Sequence, residues 1–251
     1  AEQQGQAAVG AVAVGGAAFA PDRRTQAYIW LTAFFVACLL VADVVGIKLF
    51  HIRLFGLTVE HTCGMLTFPV TFMLTDLLND YYGKAAARRV TYIGFAMAAF
   101  VFGVINLAQA MPYLDAPYNI APEHFDAVFA NARVMYVASL GAFLVGSLLD
   151  IALFGVMKRW TGGKMIWLRA TGSTVISQVF DSLIVSYLAF GLGRQLFPSG
   201  SPAAPLPDIL RIAATGYTLK FVLAVAITPL IYVGHSVLRN WLGMRPLPPE
   251  R

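Results

Sequence analysis

The sequence predicts an all-α protein of the polytopic membrane class. Hydrophobic residues make up 58% of the 251-residue chain and charged residues only 12%, with a mean hydropathy of +0.68, whereas soluble domains carry about a quarter charged residues. The apolar residues also occur in runs of about twenty, the length that crosses ~30 Å of hydrocarbon. These runs are continuous rather than alternating, which favours a helix bundle over a membrane barrel.

Six apolar runs are predicted to be transmembrane helices. The second run includes Pro69, which has no backbone N–H, so a kink or break is expected near Phe68. The connector at 51–60 is semi-polar with some strand character, and residues 111–130 form the longest loop between runs. The six runs cover residues 27–50, 63–82, 90–110, 134–157, 166–192 and 209–238.

The segments outside the runs set the domain organisation. Residues 1–26 are rich in Ala, Gly and Gln, a composition that cannot bury a core, and they are predicted to be a flexible cytoplasmic tail. The six-helix membrane domain is predicted to cover residues 27–240, and residues 241–251 to form a cytoplasmic C-terminal tail. Basic residues within 83–89 indicate a loop between the second and third runs.

Lysine and arginine are unequally divided between the two sides of a six-span bundle. The side that would carry both termini has 12 of these residues, and the opposite side has 5. Because basic residues accumulate in cytoplasmic loops, both termini are predicted to be cytoplasmic. The same clustering beside the spans explains the net charge of +5 without a nucleic-acid partner.

Ionisable residues inside the runs are the main functional signal. Such groups are costly at membrane depth and mark a substrate pathway or a buried ion pair. Asp43, Asp76, Asp150, Asp181 and Lys220 occupy these positions. Lys220 is expected to pair with one of the carboxylates, whereas Asp43 and Asp150 lie nearer the ends of their runs, where an interfacial position costs little. The pattern favours a small-molecule transporter.

Two of the runs carry a polar face. In the second run, Thr75 and Asn79 are four residues apart and Asp76 and Asn79 three, so these side chains project from one side of a helix. Asp76 and Asp181 are natural acceptors for the adjacent N–H groups of a guanidine-like edge, although helix–helix adhesion is the alternative for both. In the fifth run the same spacings relate Ser173, Thr174, Ser177, Gln178 and Asp181.

Other chemistries find little support in the sequence. Cys38 and Cys63 lie inside apolar runs without metal-ligand spacing, so no disulfide, metal site or cofactor is predicted. No motif typical of hydrolases, zinc peptidases or ATPases occurs, and no catalytic residue is assigned. Asp80 is most simply a cytoplasmic helix cap, and Arg169 is predicted either to bind an anion or to anchor the chain at the interface.

The two halves of the chain have a loose internal similarity. Asp76 in the second run matches Asp181 in the fifth, which predicts three spans followed by three more in an inverted repeat. That architecture places a substrate site near the membrane midplane, between the halves. A bundle of only six helices also leaves a homodimer open.

Several motifs occur together in the second, fifth and sixth runs. They are Phe68-Pro69-x-Thr71-Phe72-x-x-Thr75-Asp76-x-x-Asn79-Asp80-x-Tyr82-Gly83-Lys84-x-x-x-Arg88, then Leu168-Arg169-Ala170 with Ser173, Ser177-Gln178 and Asp181-Ser182, then Lys220 and Thr228-Pro229-x-x-Tyr232. In combination they resemble the queuosine precursor transporters, a vitamin-uptake-type family of small six-span proteins. The resemblance extends over residues from about 30 to 238.

The resemblance implies import of 7-cyano- or 7-aminomethyl-7-deazaguanine across the inner membrane of a bacterium, for use in tRNA modification. A deazaguanine offers N1–H and N2–H₂ donors to a carboxylate and O6 to an amide or a cation, and an aromatic ring could stack on its face. A substrate-capture subunit that needs a separate energising complex, and an intramembrane enzyme, are the alternatives. The predicted substrate-binding residues are Phe72, Thr75, Asp76, Asn79, Arg169, Ser173, Gln178, Asp181, Tyr217 and Lys220.

Overall fold

The computed structural model describes residues 21–46, 48–54, 57–129, 133–192, 195 and 203–248. These residues form a helix bundle with one short hairpin, which confirms the predicted all-α class. In chain order the elements are α1 (Arg23–Val45), β1 (Leu49–Leu54), β2 (Leu57–Thr62), a 3-10 helix (Cys63–Leu66), α2 (Phe68–Tyr82), α3 (Lys84–Ala110), α4 (Pro122–Phe129), α5 (Arg133–Trp160), α6 (Ile166–Ser186) and α7 (Leu206–Ser236). Two π-helical segments continue α6 to Leu192 and α7 to Trp241.

Five of the described helices, α1, α3, α5, α6 and α7, are long and apolar enough to cross a membrane. Large apolar side chains on their outer surfaces, including Phe34, Phe100 and Leu107, are exposed, as expected where a bundle meets lipid. The remaining predicted span contains α2, which has 15 residues. A helix of that length is about 22 Å long, which is less than the ~30 Å thickness of the hydrocarbon layer.

The second predicted span is divided at Thr67. The 3-10 helix ends at Leu66, and α2 begins at Phe68 with Pro69 in its first turn, where a missing backbone N–H costs no intrahelical hydrogen bond. The break expected near Phe68 is therefore confirmed. Thr67 Oγ1 donates to the carbonyl of Cys38 at 3.0 Å, so the interrupted segment is fixed to the middle of α1.

The first helix begins earlier than predicted. The Asp22 side chain accepts a hydrogen bond from the backbone N–H of Thr25 at 3.1 Å and caps α1, which starts at Arg23. Residues 23–26 are consequently helical, and assigning them to the flexible tail was wrong. Residues 1–20 of that predicted tail lie outside the described residues.

The first helix also ends earlier, at Val45 rather than Phe50, because β1 and β2 form an antiparallel hairpin directly after it. This confirms the strand character predicted for the connector and extends it to its neighbours. The hairpin packs against α7, where Phe50 and Ile52 join a cluster with Leu219 and Leu223. Non-helical backbone is tolerated at membrane depth where protein covers it.

The predicted basic loop at 83–89 is wrong. Gly83 alone makes the turn, with a φ of +87° that favours glycine, and α3 begins at Lys84. The helix continues through Arg88 and Arg89, since basic and alanine residues are good helix formers. The predicted long loop at 111–130 is confirmed as a connection, and it contains the short helix α4.

The two ends of the described chain meet at one end of the bundle, which we call the terminal end. Arg24 Nη2 donates to the carbonyl of Tyr81 at 2.7 Å, and the backbone N–H of Leu247 donates to the carbonyl of Asp80 at 2.8 Å. The start of α1, the end of α2 and the C-terminal segment are thereby joined. α2 thus returns the chain to the end of the bundle at which α1 begins.

The apolar core lies between α1, α2, α3 and α5. Phe35, Leu78, Val90 and Phe143 are each no more than 2% exposed and belong to one cluster. Gly94 of α3 permits the close approach of α1, because a Cβ there would lie 2.7 Å from Cε1 of Phe35. This core leaves α2, α6 and α7 to form the polar side of the bundle.

Candidate substrate-binding pocket

A pocket lies between α2, α6 and α7, beside the 3-10 helix. About 410 Å³ of space that atoms do not fill, part of it open to solvent, lies between these elements. Most of the lining is apolar, with a few polar side chains among it, as in most small-molecule sites. The lining residues are Met65, Phe68, Pro69, Phe72, Met73, Asp76, Ala170, Thr171, Thr174, Gln178, Lys220, Ala224, Ile227 and Ile231.

Asp76 is the acidic side chain of the pocket. It projects from α2 and is 3% exposed. The ion pairs among the described residues do not include it, and neither do the side-chain hydrogen bonds. Buried carboxylates are normally paired, so Asp76 presents two free acceptor oxygens to whatever occupies the pocket.

Gln178 supplies the complementary donor from α6. Its side chain is 2% exposed, and its amide nitrogen has no hydrogen-bond partner among the described residues. A buried amide N–H without a partner costs about 1–3 kcal/mol, so a ligand acceptor that satisfied it would recover that free energy. The pocket thus presents a carboxylate from one helix and an amide donor from another.

Lys220 and Asp181 form a buried ion pair between α7 and α6. The prediction that Lys220 pairs with a carboxylate is confirmed. Lys220 lines the pocket, while Asp181 is not among the lining residues. Asp181 packs against α5, where a Cβ at Gly146 would lie 3.3 Å from its Oδ1. Lys220 therefore lies between the pocket and Asp181.

Asp150 lies behind the pocket and was not selected as a site residue from the sequence. It is fully buried on α5, and its Oδ1 accepts hydrogen bonds from Thr174 Oγ1 and Ser177 Oγ, both at 3.2 Å. Its distance from the middle of its run had suggested an interfacial position. The signal that could have identified it is the run of small hydroxyl residues on α6, which needs an acceptor on a neighbouring helix.

Arg169 lies in a separate ionic cluster nearer the terminal end, which we call the Asp80 cluster; it comprises Asp80, Lys158, Arg169 and His235. Arg169 Nη2 lies 2.5 Å from Oδ2 of Asp80, and Lys158 Nζ lies 2.6 Å from Oδ1. His235 Nε2 lies 3.6 Å from Oδ2. Asp80 is fully buried, so its assignment as a simple helix cap was wrong. Arg169 pairs with the carboxylate of Asp80 and does not line the pocket.

The remaining predicted site residues form contacts within or between helices. Thr75 Oγ1 donates to the carbonyl of Phe72 at 2.8 Å, and Ser173 Oγ to that of Ala170 at 3.1 Å. Asn79 Nδ2 donates to the carbonyl of Ile151 at 3.1 Å and ties α2 to α5. Tyr217 lies beside Phe221 on α7, with ring centroids 6.3 Å apart, and does not line the pocket.

Of the predicted site residues, the structure therefore brings four into the pocket wall: Phe72, Asp76, Gln178 and Lys220. They come from α2, α6 and α7, so the wall depends on packing between distant parts of the chain. No group of three or more His, Cys, Asp or Glu side chains in the described ranges could hold a metal ion.

Residues 62–234 match the family described as "Putative vitamin uptake transporter". The chain belongs to this family. The matched stretch includes every residue of the pocket wall, and the resemblance to vitamin-uptake-type transporters that the motifs indicated is confirmed. Family membership and the five apolar helices identify a multi-pass membrane transporter rather than an enzyme.

Three relatives from bacteria have more specific names. The "Probable queuosine precursor transporter" of Bacillus subtilis is 29% identical over 191 residues, which is 75% of this chain and 77% of the relative. The "Queuosine precursor transporter" of Escherichia coli is 26% identical over 233 residues, 90% of this chain and 93% of the relative. A "Probable queuosine precursor transporter" of Haemophilus influenzae is 26% identical over 68% of this chain and 73% of its own length. No solved protein structure matches the chain.

Proposed function

We propose that this protein is a carrier that imports queuosine precursors, 7-cyano- or 7-aminomethyl-7-deazaguanine, across the bacterial inner membrane. The names of the three relatives support this substrate class. The observation that carries the proposal is the buried carboxylate of Asp76, which lines the pocket and has no ion-pair or hydrogen-bond partner among the described residues.

The hydrogen-bonding groups of the pocket complement the edge of a deazaguanine. N1–H and N2–H₂ are adjacent donors that both oxygens of Asp76 can accept, in the parallel arrangement that carboxylates form with guanidinium groups. O6 is an acceptor, and the amide nitrogen of Gln178, which has no hydrogen-bond partner among the described residues, would bind it. Phe72 in the pocket wall offers a flat apolar surface for the ring.

Asp181 and Lys220 contribute in a different way from Asp76. Because the two side chains are paired, the ammonium of Lys220 is oriented and its charge is balanced by a fixed carboxylate. Lys220 then offers remaining N–H donors to the pocket, and Asp181 acts through Lys220.

The proposed topology has six crossings with both termini in the cytoplasm. Five helices have the length of a membrane span, and the 3-10 helix with α2 makes the sixth crossing. The excess of basic residues on the side of the termini supports the orientation. In a proposed repeat of three and three, α2 and α6 are the middle helices of each half, and both contribute polar side chains to the pocket.

The proposal is tested in a bacterial strain that cannot synthesise queuosine precursors and lacks its own transporter. The strain carries this chain and grows with low concentrations of a precursor, and the queuosine content of its tRNA is measured. The parent protein should restore queuosine, Asp76→Ala should not, and Asp115→Ala, a change in an exposed loop, should behave like the parent at equal membrane level.

The outcomes separate the function from the site. No queuosine with the parent protein would overturn the proposed substrate, whereas full queuosine with Asp76→Ala would overturn the assignment of the pocket. Uptake by the purified chain alone in liposomes would distinguish a carrier from a substrate-capture subunit that needs an energising complex.

A further inference from the structure

Among the described residues, Asp150 differs from Asp80 and Asp181 in that no cation contacts it. It is fully buried on α5 and accepts two hydrogen bonds at Oδ1, both from hydroxyl groups of α6. Its Oδ2 is buried without a hydrogen-bond partner among the described residues. Asp80 and Asp181, in contrast, each contact a lysine or an arginine.

The charged groups around Asp150 do not neutralise it. On α2, Asp76 is a second buried carboxylate without a cation partner among the described residues, and it repels Asp150 when both are ionised, while Asp80 is already paired with two cations. On α6, Asp181 is paired with Lys220 of α7.

The charged residues described on the other packed helices add no counter-ion near Asp150. On α5 itself, Lys158 contacts Asp80, and Arg169 of α6 lies over the ring of Phe154 while it pairs with Asp80. The charged residues of α3, at 84, 88 and 89, all lie in its first two turns. Asp43 of α1 lies beside Tyr136 and Arg133 at the opposite end of α5.

A fully buried carboxylate without a counter-ion is strongly destabilised, and such a group instead takes up a proton. Thr174 and Ser177 both donate to Oδ1, so the proton belongs on Oδ2, the oxygen without a donor. The step is the simple equilibrium in which the carboxylate and one proton form the neutral acid. The pair Asp76 and Asp150 is thus expected to hold a proton, and Oδ2 of Asp150 is a place where that proton can reside.

Asp150 is connected to the pocket in two ways. Thr174 donates to Asp150 and also lines the pocket. Asn79, which lies on α2 three residues after Asp76, donates to the carbonyl of Ile151, the neighbour of Asp150. Two carboxylates so placed in a low-dielectric interior repel each other when both are ionised. A proton on Asp150 therefore favours the ionised form of Asp76, which is the form that accepts both donors of the substrate.

We propose that Asp150 is the proton-binding site through which this carrier couples import of its substrate to the proton gradient. The inference rests on the proposed function and deepens it. Protonation from the outside stabilises the substrate-binding form, and release of the proton inside, when the conformation exposes Asp150 to water, favours release of the substrate.

The first test uses the parent protein in liposomes with a pH-sensitive dye trapped inside. Addition of 7-cyano-7-deazaguanine outside, without any sodium, should acidify the lumen, and an imposed gradient that is acid outside should drive accumulation of the compound. Substrate movement without acidification, or accumulation only with a sodium gradient, would overturn the inference and leave the proposed function intact. No movement of the compound under any condition would instead contradict the proposed function.

The second test compares Asp150→Asn with Asp43→Asn, a matched change at a carboxyl on α1, outside the two polar faces. Asparagine keeps an acceptor for Thr174 and Ser177 and resembles the protonated acid, but it cannot release a proton. Asp150→Asn should therefore lose gradient-driven accumulation by at least about tenfold while counterflow exchange, which needs only the loaded carrier, stays near that of the parent. Asp43→Asn should keep both activities.

The results of the second test are decisive in either direction. Normal gradient-driven accumulation by Asp150→Asn would overturn the inference, as would loss of that accumulation in Asp43→Asn with Asp150→Asn unaffected. If Asp150→Asn does not fold, the lumenal pH measurement on the parent protein still decides whether protons move with the substrate.

Discussion

Asp76 and Asp80 lie one helical turn apart on α2 and are buried to a similar degree, at 3% and 0% exposure, yet their surroundings differ. Asp80 is in contact with Lys158 and Arg169 at 2.6 Å and 2.5 Å. Among the residues that the structure describes, neither a cation nor a hydrogen-bond donor contacts Asp76. A carboxylate that two cations hold is fixed in place, whereas one without partners can receive a ligand.

The two residues also influence each other. The Asp80 cluster contains two permanent cations for one carboxylate, and Arg169 interacts favourably with Asp76 as well. The carboxylate of Asp80 opposes this interaction, because like charges one helical turn apart repel each other. The comparison divides the polar side of the bundle into an ionic cluster that holds helices together and a pocket that binds substrate.

Asp80→Asn should have the largest effect on stability. It leaves Lys158 and Arg169 buried without their carboxylate, and breaking a buried ion pair in this way costs about 3–5 kcal/mol. Thermal unfolding of the purified protein should show a large fall in Tm and poor yield, whereas Asp115→Asn in the exposed loop should show neither. An unchanged Tm would show that the contacts of Asp80 with Lys158 and Arg169 do not stabilise the fold, and the contrast with Asp76 would be lost.

The Asp181–Lys220 pair should behave like the Asp80 cluster. Lys220→Met alone leaves Asp181 buried and unpaired, with an expected loss of about 3 kcal/mol. Adding Asp181→Leu removes the remaining charge, and the double variant should regain most of the lost Tm because hydrophobic replacement of a whole buried pair is often neutral. If the double variant were less stable than Lys220→Met, the pair would not explain the loss.

Asp76→Asn should have the opposite profile to Asp80→Asn. No cation loses its partner, so Tm should change little, but the amide offers one acceptor where the carboxylate offers two. Losing a charge-assisted hydrogen bond worth about 1.5–3 kcal/mol should raise the KM for 7-cyano-7-deazaguanine by about 10–150-fold. Initial rates of uptake into liposomes measure this change, and a normal KM would show that the ring edge binds elsewhere.

The membrane class and most helices could be predicted because hydropathy depends only on local composition. The boundaries could not: Asp22 caps α1 before the apolar run begins, and the helix that starts at Lys84 includes a basic stretch that resembles a loop. Run length reports where a helix can lie in lipid, not where its hydrogen bonds begin and end. The break at Thr67 could be predicted because Pro69 has a fixed local consequence.

The candidate site was predictable to the extent that helical spacing determines which residues share a face. That argument placed Asp76 and Gln178 on polar faces, and the structure brings both faces to one pocket. It could not show that Arg169 pairs with Asp80, 89 residues away in sequence, or that Asp150 meets the hydroxyl groups of α6. Those contacts depend on which helices pack together.

Gln178→Leu should have the smallest effect and tests the donor side of the pocket. Leucine has a similar volume and cannot donate, so one neutral hydrogen bond to O6, worth about 0.5–1.5 kcal/mol, is lost and KM rises by about 2–10-fold. The variant should be at least as stable as the parent, because a buried amide nitrogen without a partner has been removed. Gln26→Leu, at an exposed position in the first turns of α1, should leave KM unchanged. If Gln178→Leu also leaves KM unchanged, O6 does not accept a hydrogen bond from this amide, and Lys220 becomes the donor that the substrate contacts.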